Sequence, residues 1–303
     1  MAVIVHLKEN KLISVILSLI TVISIIIFNK NNFNPDYQIY LSAFGGDDTR
    51  FEPLYQYASN IAYSIGVEYE FFYIAILLIN SIFFIYICYT LPTVFIFLII
   101  PTIIIFGFSV FGVQIRIGIS YLIVLLGLLQ EGKKKQIILF FLAIGVHYFS
   151  LVFIALYFFS IIISNKKLKY YLILLIELLM ILISPLIAII LDNIASIIGY
   201  ESYVGSEFFQ SKSFYSIAYS FLTANTILFF TRNKLALLIN YYILLMLVFF
   251  ATSSLAIISG RLQIFIFFVE AILCSYLIND HFLTRKKFII IVFLIYSKLI
   301  FLL

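Results

Sequence analysis

Long apolar runs separated by short polar segments fill almost the entire chain, and this pattern limits the fold more than any other feature. A membrane-spanning helix needs about 20 mostly apolar residues, whereas the strands of a membrane barrel alternate over about ten. The chain is 64% hydrophobic and 11% charged, with a mean hydropathy of +1.18. In a soluble globular protein the charged share is about 25%, so that class is excluded. We predict an all-α polytopic membrane protein without a soluble domain.

The apolar runs predict about ten membrane segments. These are Leu12–Phe28, Phe71–Tyr89, Pro92–Phe108, Val113–Gln130, Ile137–Ile163, Tyr170–Leu191, Phe214–Phe230, Leu235–Thr252, Arg261–Ile278 and Phe288–Leu303. The first run resembles a signal sequence, but no small-residue cleavage site follows it, so we expect a retained span. We expect residues 1–303 to form a single transmembrane domain. An outer-face loop and amphipathic helix at 29–70 and a second outer loop at 192–212 would belong to it.

Basic residues mark the ends of these runs and indicate the topology. Of the 19 Lys and Arg residues, thirteen lie in five clusters, namely Lys8 and Lys11; Lys133, Lys134 and Lys135; Lys166, Lys167 and Lys169; Arg232 and Lys234; Arg285, Lys286 and Lys287. Basic clusters in short loops beside spans are typical of the cytoplasmic side. The positive charge therefore predicts an orientation in the membrane and no nucleic-acid partner. The acidic segment 29–70 is expected outside.

The run Ile137–Ile163 conflicts with a simple crossing because basic clusters flank both of its ends. As one helix it would reach about 40 Å, which is far short of two crossings of a core about 30 Å thick. A re-entrant pair of half-depth helices that meet near Gly145–His147 resolves the conflict and places His147 near the bilayer midplane. The alternative is one long tilted helix with Lys166, Lys167 and Lys169 outside.

Two arginines stand out as candidates for binding an anion. Arg116 lies within the apolar segment Phe108–Leu129, and Arg261 opens another apolar run. A charge at membrane depth costs roughly 2.5–3.5 kcal/mol even on the translocon scale, so intramembrane arginines are functional candidates. The predicted topology places both near the outer face, where a guanidinium can form paired hydrogen bonds to phosphate. Alternatively, each side chain reaches the interface along its own aliphatic stem.

The other candidates for the site are one histidine and three acidic residues. His147 can act as an acid, a base or a hydrogen-bond donor, although a lone buried histidine often serves only packing. Glu52 precedes Pro53 at the start of a predicted amphipathic surface helix, so its carboxylate lies outside or merely complements the helix dipole. Glu177 and Glu270, in mid-span, are weaker acid candidates or ion-pair partners for the arginines. Cys88 and Cys274 are expected to be packed thiols without a disulfide or metal role.

In their order along the chain, several motifs resemble the EpsG-type branch of the Wzy polysaccharide polymerases. They are Asp36-Tyr37 followed by Tyr40; Glu52-Pro53; Arg116 with Gly118 and Ser120; the basic Gly132–Lys135 loop; His147-Tyr148-Phe149-Ser150; and Arg261. The resemblance covers most of Asp36–Ile163. Where such proteins often show His-x-Ser, this chain has one residue more, which leaves a role for Ser150 open.

The resemblance implies a glycosyltransferase with a GT-C-like helical bundle. Such a polymerase joins oligosaccharide units carried on a polyprenyl pyrophosphate, at the outer face of a bacterial plasma membrane. On this hypothesis Arg116 and Arg261 bind the pyrophosphate, and His147 or Glu52 activates the acceptor hydroxyl. Asp36, Tyr37, Arg50 and Tyr55 are further candidates for binding the substrate.

On the same hypothesis we expect the reaction to need neither a metal nor another cofactor. The expected partners are the lipid-linked oligosaccharide, the bilayer, a chain-length regulator and a flippase. Two other functions stay open from the sequence. A flippase or transporter for lipid-linked sugars would also use arginines against a pyrophosphate, although the sequence shows no internal repeat. A membrane O-acyltransferase would use His147 as the base for acyl transfer to an extracellular sugar.

Overall fold

The structure, a computed structural model, describes residues 11–29, 37–46, 52–103, 114–163, 170–197, 213–231, 236–279 and 285–300. These ranges contain helices and no strands, as the sequence predicts. The helices are α1 (Lys11–Asn29), α2 (Tyr37–Ala43), α3 (Pro53–Ser64), α4 (Tyr69–Thr90), α5 (Val94–Thr102), α6 (Ile115–Leu128), α7 (Lys133–Val146), α8 (Ser150–Ile163), α9 (Tyr170–Ile197), α10 (Phe214–Thr231), α11 (Ala236–Ala251), α12 (Ala256–Asn279) and α13 (Arg285–Ile300).

Three of these helices are long and apolar enough to cross a membrane by themselves, namely Tyr69–Thr90, Tyr170–Leu191 and Ile258–Ile278. Five of the other helices contain shorter apolar stretches of 10–17 residues, among them Ile115–Leu128 and Ala236–Ala251. The chain is therefore a helical membrane protein. Ten full segments and a GT-C-like bundle stay predictions.

The chain divides into two compact units, Met1–Ala155 and Leu156–Leu303. In the first unit α4 packs against α1 and α6, α6 packs against α7, and the short surface helix α3 packs against α7. In the second unit α11 packs against α9 and α12, and α10 packs against α13. The division falls within α8, and the single domain expected from the sequence stays a prediction.

The two long helices of the second unit differ in their surroundings. In α12 83% of the apolar window is buried inside the protein, whereas in α9 only 17% is buried. An apolar helix that the protein does not cover needs lipid around it, because water would make this exposure unfavourable. Helix α9 therefore has the surface expected of a lipid-facing span, and α12 forms the interior of its unit.

The helix break predicted near Gly145–His147 is present, and the chain turns back there. Helix α7 ends at Val146 and α8 begins at Ser150. The Ser150 hydroxyl donates to the Ala143 carbonyl at 3.2 Å, although the two residues are seven positions apart. In a continuous helix seven residues rise about 10.5 Å, so one long helix over 137–163 is excluded. The ring of Phe153 lies 5.2 Å from that of Tyr121, so α8 begins alongside α6.

Several helix ends differ from the sequence-based bounds. Helix α7 begins at Lys133, so the basic segment predicted as a loop forms the first turn of a helix. Helix α9 continues to Ile197, six residues into the predicted outer loop at 192–212. Arg261 lies in the second turn of α12 instead of at its start, because the helix begins at Ala256. The residues added at these helix ends include no proline, so the local sequence does not stop the helices at the predicted bounds.

The surface helix α3 matches the amphipathic helix predicted from the sequence. Tyr55, Ser59 and Ala62 form its buried face. Its apolar stripe is exposed, with 67% of Tyr57 and 71% of the following Ile65 open. An uncovered apolar stripe on a surface helix is typical of a helix that lies in the plane of the membrane interface.

Candidate functional site

Glu52 immediately precedes α3, and its carboxylate turns away from that helix. Its backbone carbonyl accepts a hydrogen bond from the Gln56 N–H at 3.0 Å, and Pro53 occupies the first helical position. The side chain makes no capping hydrogen bond, and the residue is only 4% exposed. Complementing the helix dipole therefore does not account for the position of this carboxylate.

Arg116 is the first partner of Glu52. It is the second residue of α6, and its Nη1 donates to Glu52 Oε2. Its Nε donates to the Tyr40 hydroxyl at 3.3 Å. The guanidinium also lies over two aromatic rings, 5.4 Å from the centre of Tyr40 and 5.6 Å from that of Tyr55. A cation in the first turn of a helix opposes the helix dipole, and the Glu52 carboxylate offsets this effect.

His147 is the second partner of the same carboxylate. It ends α7 in an extended conformation, with φ −156° and ψ 118°. Its Nδ1 lies against Glu52 Oε1, to which the Tyr148 N–H also donates at 3.3 Å. An ionised carboxylate can only accept hydrogen bonds, so Nδ1 carries the proton and Nε2 of a neutral ring has a lone pair. Among the residues that the structure describes, the buried Nε2 has no hydrogen-bond partner.

The Glu52 carboxylate is negatively charged at neutral pH. Burial alone raises the pKa of a carboxyl group, because it removes water from the charged form. The hydrogen bond from His147 and the positive charge of Arg116 act in the opposite direction and outweigh burial, so the pKa of Glu52 lies below its usual value. The site therefore contains a fixed anion, a fixed cation and an imidazole.

Close packing of α3 on α7 brings these groups together. A Cβ atom added to Gly145 would lie 2.5 Å from Leu54 Cδ1, so the Leu54 side chain would have to move to make room for it. Leu54 follows Glu52 by two residues, and Gly145 precedes His147 by two. The contact between Leu54 and Gly145 therefore lies within two residues of both the carboxylate and the imidazole. Ser150 is fully buried, and its hydrogen bond to Ala143 stabilises the turn.

The other residues predicted for the site are Asp36, Tyr37, Arg50 and Arg261. Tyr37 packs against Tyr69 and Tyr73, with ring centres at 5.0 and 5.9 Å, and forms part of an aromatic cluster. Asp36 and Arg50 lie outside the described residues. Arg261 is half-buried and belongs to the second unit. Its role in binding pyrophosphate stays a prediction.

The two acidic residues predicted in mid-span, Glu177 and Glu270, have polar partners on neighbouring helices. Glu177 is fully buried and accepts a hydrogen bond from the Asn225 amide at 2.8 Å. Glu270 is also fully buried and accepts one from the Tyr242 hydroxyl at 2.8 Å. Both contacts stabilise packing between helices. Cys88 and Cys274 are buried free thiols, as predicted.

The contact between His147 and Glu52 constrains their predicted depths. The sequence placed His147 near the midplane and Glu52 at the outer surface, but the His147 ring contacts the Glu52 carboxylate, so the two residues lie at about the same depth. Two participants were missed as partners of the site, the Tyr40 hydroxyl and the Tyr148 N–H. Tyr40 lies three residues after Tyr37, so both fall on the same side of a helix. This spacing could have indicated Tyr40 as a further candidate beside Tyr37.

Comparison with known proteins places these features in a family. A model of the EpsG family matches residues 15–303. The match includes Glu52, Arg116, His147 and Arg261, and it therefore extends over both compact units. A search of curated proteins finds no match, and a search of solved structures finds none.

Proposed function

Because the chain belongs to the EpsG family, whose members are membrane proteins similar to Wzy-type polysaccharide polymerases, we propose that it polymerises oligosaccharide units at the outer face of a bacterial plasma membrane. The substrate would be an oligosaccharide on a polyprenyl pyrophosphate, which reacts as glycosyl donor with a second lipid-linked unit. The bridging of Arg116 and His147 by Glu52 is the observation that supports this proposal most strongly.

In this proposal His147 is the general base. Its Nδ1–H donates to Glu52, which fixes the ring and leaves the lone pair of Nε2 for the proton of an acceptor hydroxyl. The acceptor oxygen forms a bond to the anomeric carbon of the donor. The bond from that carbon to the pyrophosphate breaks, and the pyrophosphate leaves on its lipid with the electron pair. A base that a carboxylate orients typically contributes about 10²–10⁴-fold to such a step.

Arg116 has two tasks in the same mechanism. It balances the charge of Glu52, which keeps this carboxylate ionised and able to orient His147. Its guanidinium also binds the carboxylate that holds the imidazole, and there it would stabilise the negative charge that develops on the leaving pyrophosphate. Part of its charge is offset by Glu52, so binding of a diphosphate would require more cations. Arg261 and Arg50 are our candidates for them.

The proposal is tested with purified protein, lipid-linked repeat units and no other substrate. A ladder of longer lipid-linked products supports the polymerase. Substrate that stays unchanged but crosses the bilayer of a vesicle supports a transporter instead. A reaction that begins only when an acyl donor is added supports an O-acyltransferase, for which an oriented histidine would serve equally well.

Two matched variants test whether formation of the polymer ladder depends on Glu52. Glu52 and Glu68 both precede a helix with nearly the same backbone angles, φ −70° and −69° with ψ 149° and 150°, and neither caps its helix through its side chain. Glu68 is exposed, whereas Glu52 is buried against Arg116 and His147. We expect Glu52→Gln to shorten the ladder strongly and Glu68→Gln to leave it unchanged. Equal ladders from both variants would contradict the site.

A further inference from the structure

The first unit has a second polar region at the other end of α6 from the Glu52 site. From Arg116 to Leu129 the chain advances 13 residues, or about 20 Å along a helix. At this far end the structure contains a cleft of about 680 Å³ between the end of α4, the turn after α6 and the start of α7. None of the Glu52, Arg116 and His147 side chains lines it. The cleft is therefore separate from the proposed catalytic site.

The charge of this cleft is positive. Lys133, Lys134 and Lys135 line it, together with one acidic residue, Glu131. The three lysines are exposed and form the first turn of α7. Lys11, at the same end of the unit, is engaged elsewhere, since its Nζ donates to the carbonyls of Tyr89 and Leu91 at 2.6 and 2.8 Å.

The three lysines lie at the N-terminal end of α7, where a negative charge is favoured. The first turn of a helix has a partial positive charge and unpaired N–H groups, so cations there are unfavourable and an anion is favourable. Gly132, which precedes α7, has no side chain with which to cap these N–H groups. A bound anion would satisfy the N–H groups and the ammonium groups at once.

An apolar groove continues directly from this basic cleft. It has a volume of about 450 Å³ and shares Tyr86, Leu126, Gln130 and Lys135 with the cleft. Farther on, Ile82 of α4 and Ile138 of α7 line it. These two side chains are 62% and 59% exposed, so hydrocarbon from outside the protein can reach the groove.

We propose that the cleft and its groove form a binding site for one anionic glycerophospholipid of the surrounding bilayer. The phosphate binds at Lys133–Lys135 and the first turn of α7, and an acyl chain lies along Ile82 and Ile138. A soluble phosphate would occupy the basic cleft but leave the apolar groove uncovered. A zwitterionic lipid would fill the groove, but its headgroup would bring its own positive charge close to the lysines. The site is independent of the polymerase proposal, since it shares no residue with the Glu52 site.

The test measures lipid binding to the full-length purified protein in a neutral detergent. Phosphatidylglycerol, phosphatidylcholine with the same acyl chains, and soluble glycerol 3-phosphate are titrated separately, and bound lipid is counted by native mass spectrometry. We expect phosphatidylglycerol to bind about tenfold more tightly than phosphatidylcholine, since each lysine near an anionic headgroup adds to the attraction. Glycerol 3-phosphate should not displace it at the same concentration.

Two triple variants distinguish a specific lipid site from a general attraction between lysines and anionic lipids. Lys133→Gln, Lys134→Gln and Lys135→Gln together should weaken phosphatidylglycerol binding about tenfold. The matched control replaces Lys166, Lys167 and Lys169, which removes the same charge from another basic cluster of the sequence. It should change binding less than about twofold. Equal losses in both triple variants, or equal binding of the two lipids, would overturn the proposal.

A separate double variant tests whether the apolar groove binds an acyl chain. Ile82→Ser combined with Ile138→Ser keeps all charges and alters two exposed side chains, so the fold should persist, and the unfolding midpoint checks this. We expect weaker binding of phosphatidylglycerol, because contacts with the acyl chain are lost. Unchanged lipid binding in this variant, or glycerol 3-phosphate that binds as tightly as the lipid, would contradict a lipid site and indicate a site for a free phosphate.

Discussion

Glu52 and His147 lie 95 residues apart in the sequence, and a hydrogen bond joins Glu52 Oε1 to His147 Nδ1. The other oxygen of the same carboxylate accepts from Arg116, which is 64 residues away. A surface helix, a membrane helix and a helix hairpin thus meet at one carboxylate. Removing Glu52 should therefore affect the packing of three elements as well as the chemistry of the imidazole.

The first prediction concerns the ion pair itself. Glu52→Gln and Arg116→Gln should each lower the free energy of unfolding by about 1–3 kcal/mol, because each leaves a buried charged or polar partner unsatisfied. The double variant should lose less than the sum of the two, since it leaves no unpaired charge. Thermal or denaturant unfolding of all four proteins in one detergent measures this coupling. Strictly additive losses would show that the two side chains do not interact.

The second prediction concerns pH. The folded-state pKa of Glu52 lies below its usual value, so the carboxylate stabilises the protein fully above the unfolded pKa of about 4.3. This stabilisation is lost as the pH falls through the lower folded-state pKa. The unfolding midpoints of the wild type and Glu52→Gln should therefore differ at neutral pH and converge as the pH falls through the folded-state pKa. A difference that stays constant with pH would contradict the assigned charge, and Glu68→Gln provides the control.

The third prediction concerns the approach of α3 to α7. Gly145→Ala should displace α3, since the new Cβ would lie 2.5 Å from Leu54 Cδ1, and polymer formation should fall with the separation of Glu52 from His147. Leu54→Ala removes the atoms in conflict and leaves Leu54 Cβ at 3.5 Å, an ordinary contact. The double variant should recover polymer formation relative to Gly145→Ala alone. Without such recovery, the contact would not set the geometry of the site.

The fourth prediction concerns the packing of α6 on α7. A Cβ at Gly127 would lie 2.5 Å from Phe140 Cε1, and the Phe140 side chain is only 3% exposed. Gly127→Ala should cost about 1–3 kcal/mol in the free energy of unfolding, the range typical of overpacking. Gly132→Ala is the matched control, since nothing lies within 4 Å of its Cβ position. Its free energy of unfolding should change by less than about 0.5 kcal/mol.

Features that depend on local composition could be predicted from the sequence. The apolar runs predicted the helical membrane class, and the paired basic clusters around Ile137–Ile163 predicted the helix break near His147. Glu52-Pro53 and the spacing of Leu54, Tyr57 and Ile61 predicted the surface helix, whose bounds are Pro53–Ser64. In each case charge, hydropathy or proline acts within a few residues, and these effects are visible in the sequence.

Features that depend on tertiary pairing could not be predicted in the same way. The sequence grouped Glu52, Arg116 and His147 as candidates, and the structure brings these three together, but it did not indicate that Glu52 bridges the other two. Nor did it place His147 and Glu52 at one depth, because hydropathy averages over a run and does not locate one side chain. The role of Tyr40 was also missed, although its spacing of three residues from Tyr37 places both on one side of a helix.

The rate of chain elongation by His147→Gln tests the central claim most directly. Glutamine keeps a polar side chain at the turn but has no nitrogen that accepts a proton at neutral pH. With purified protein and lipid-linked repeat units, and with an unfolding midpoint close to that of the wild type, we predict a rate about 10²–10⁴-fold lower. Elongation by a folded His147→Gln protein within about twofold of the wild-type rate would contradict the role of His147 as the general base.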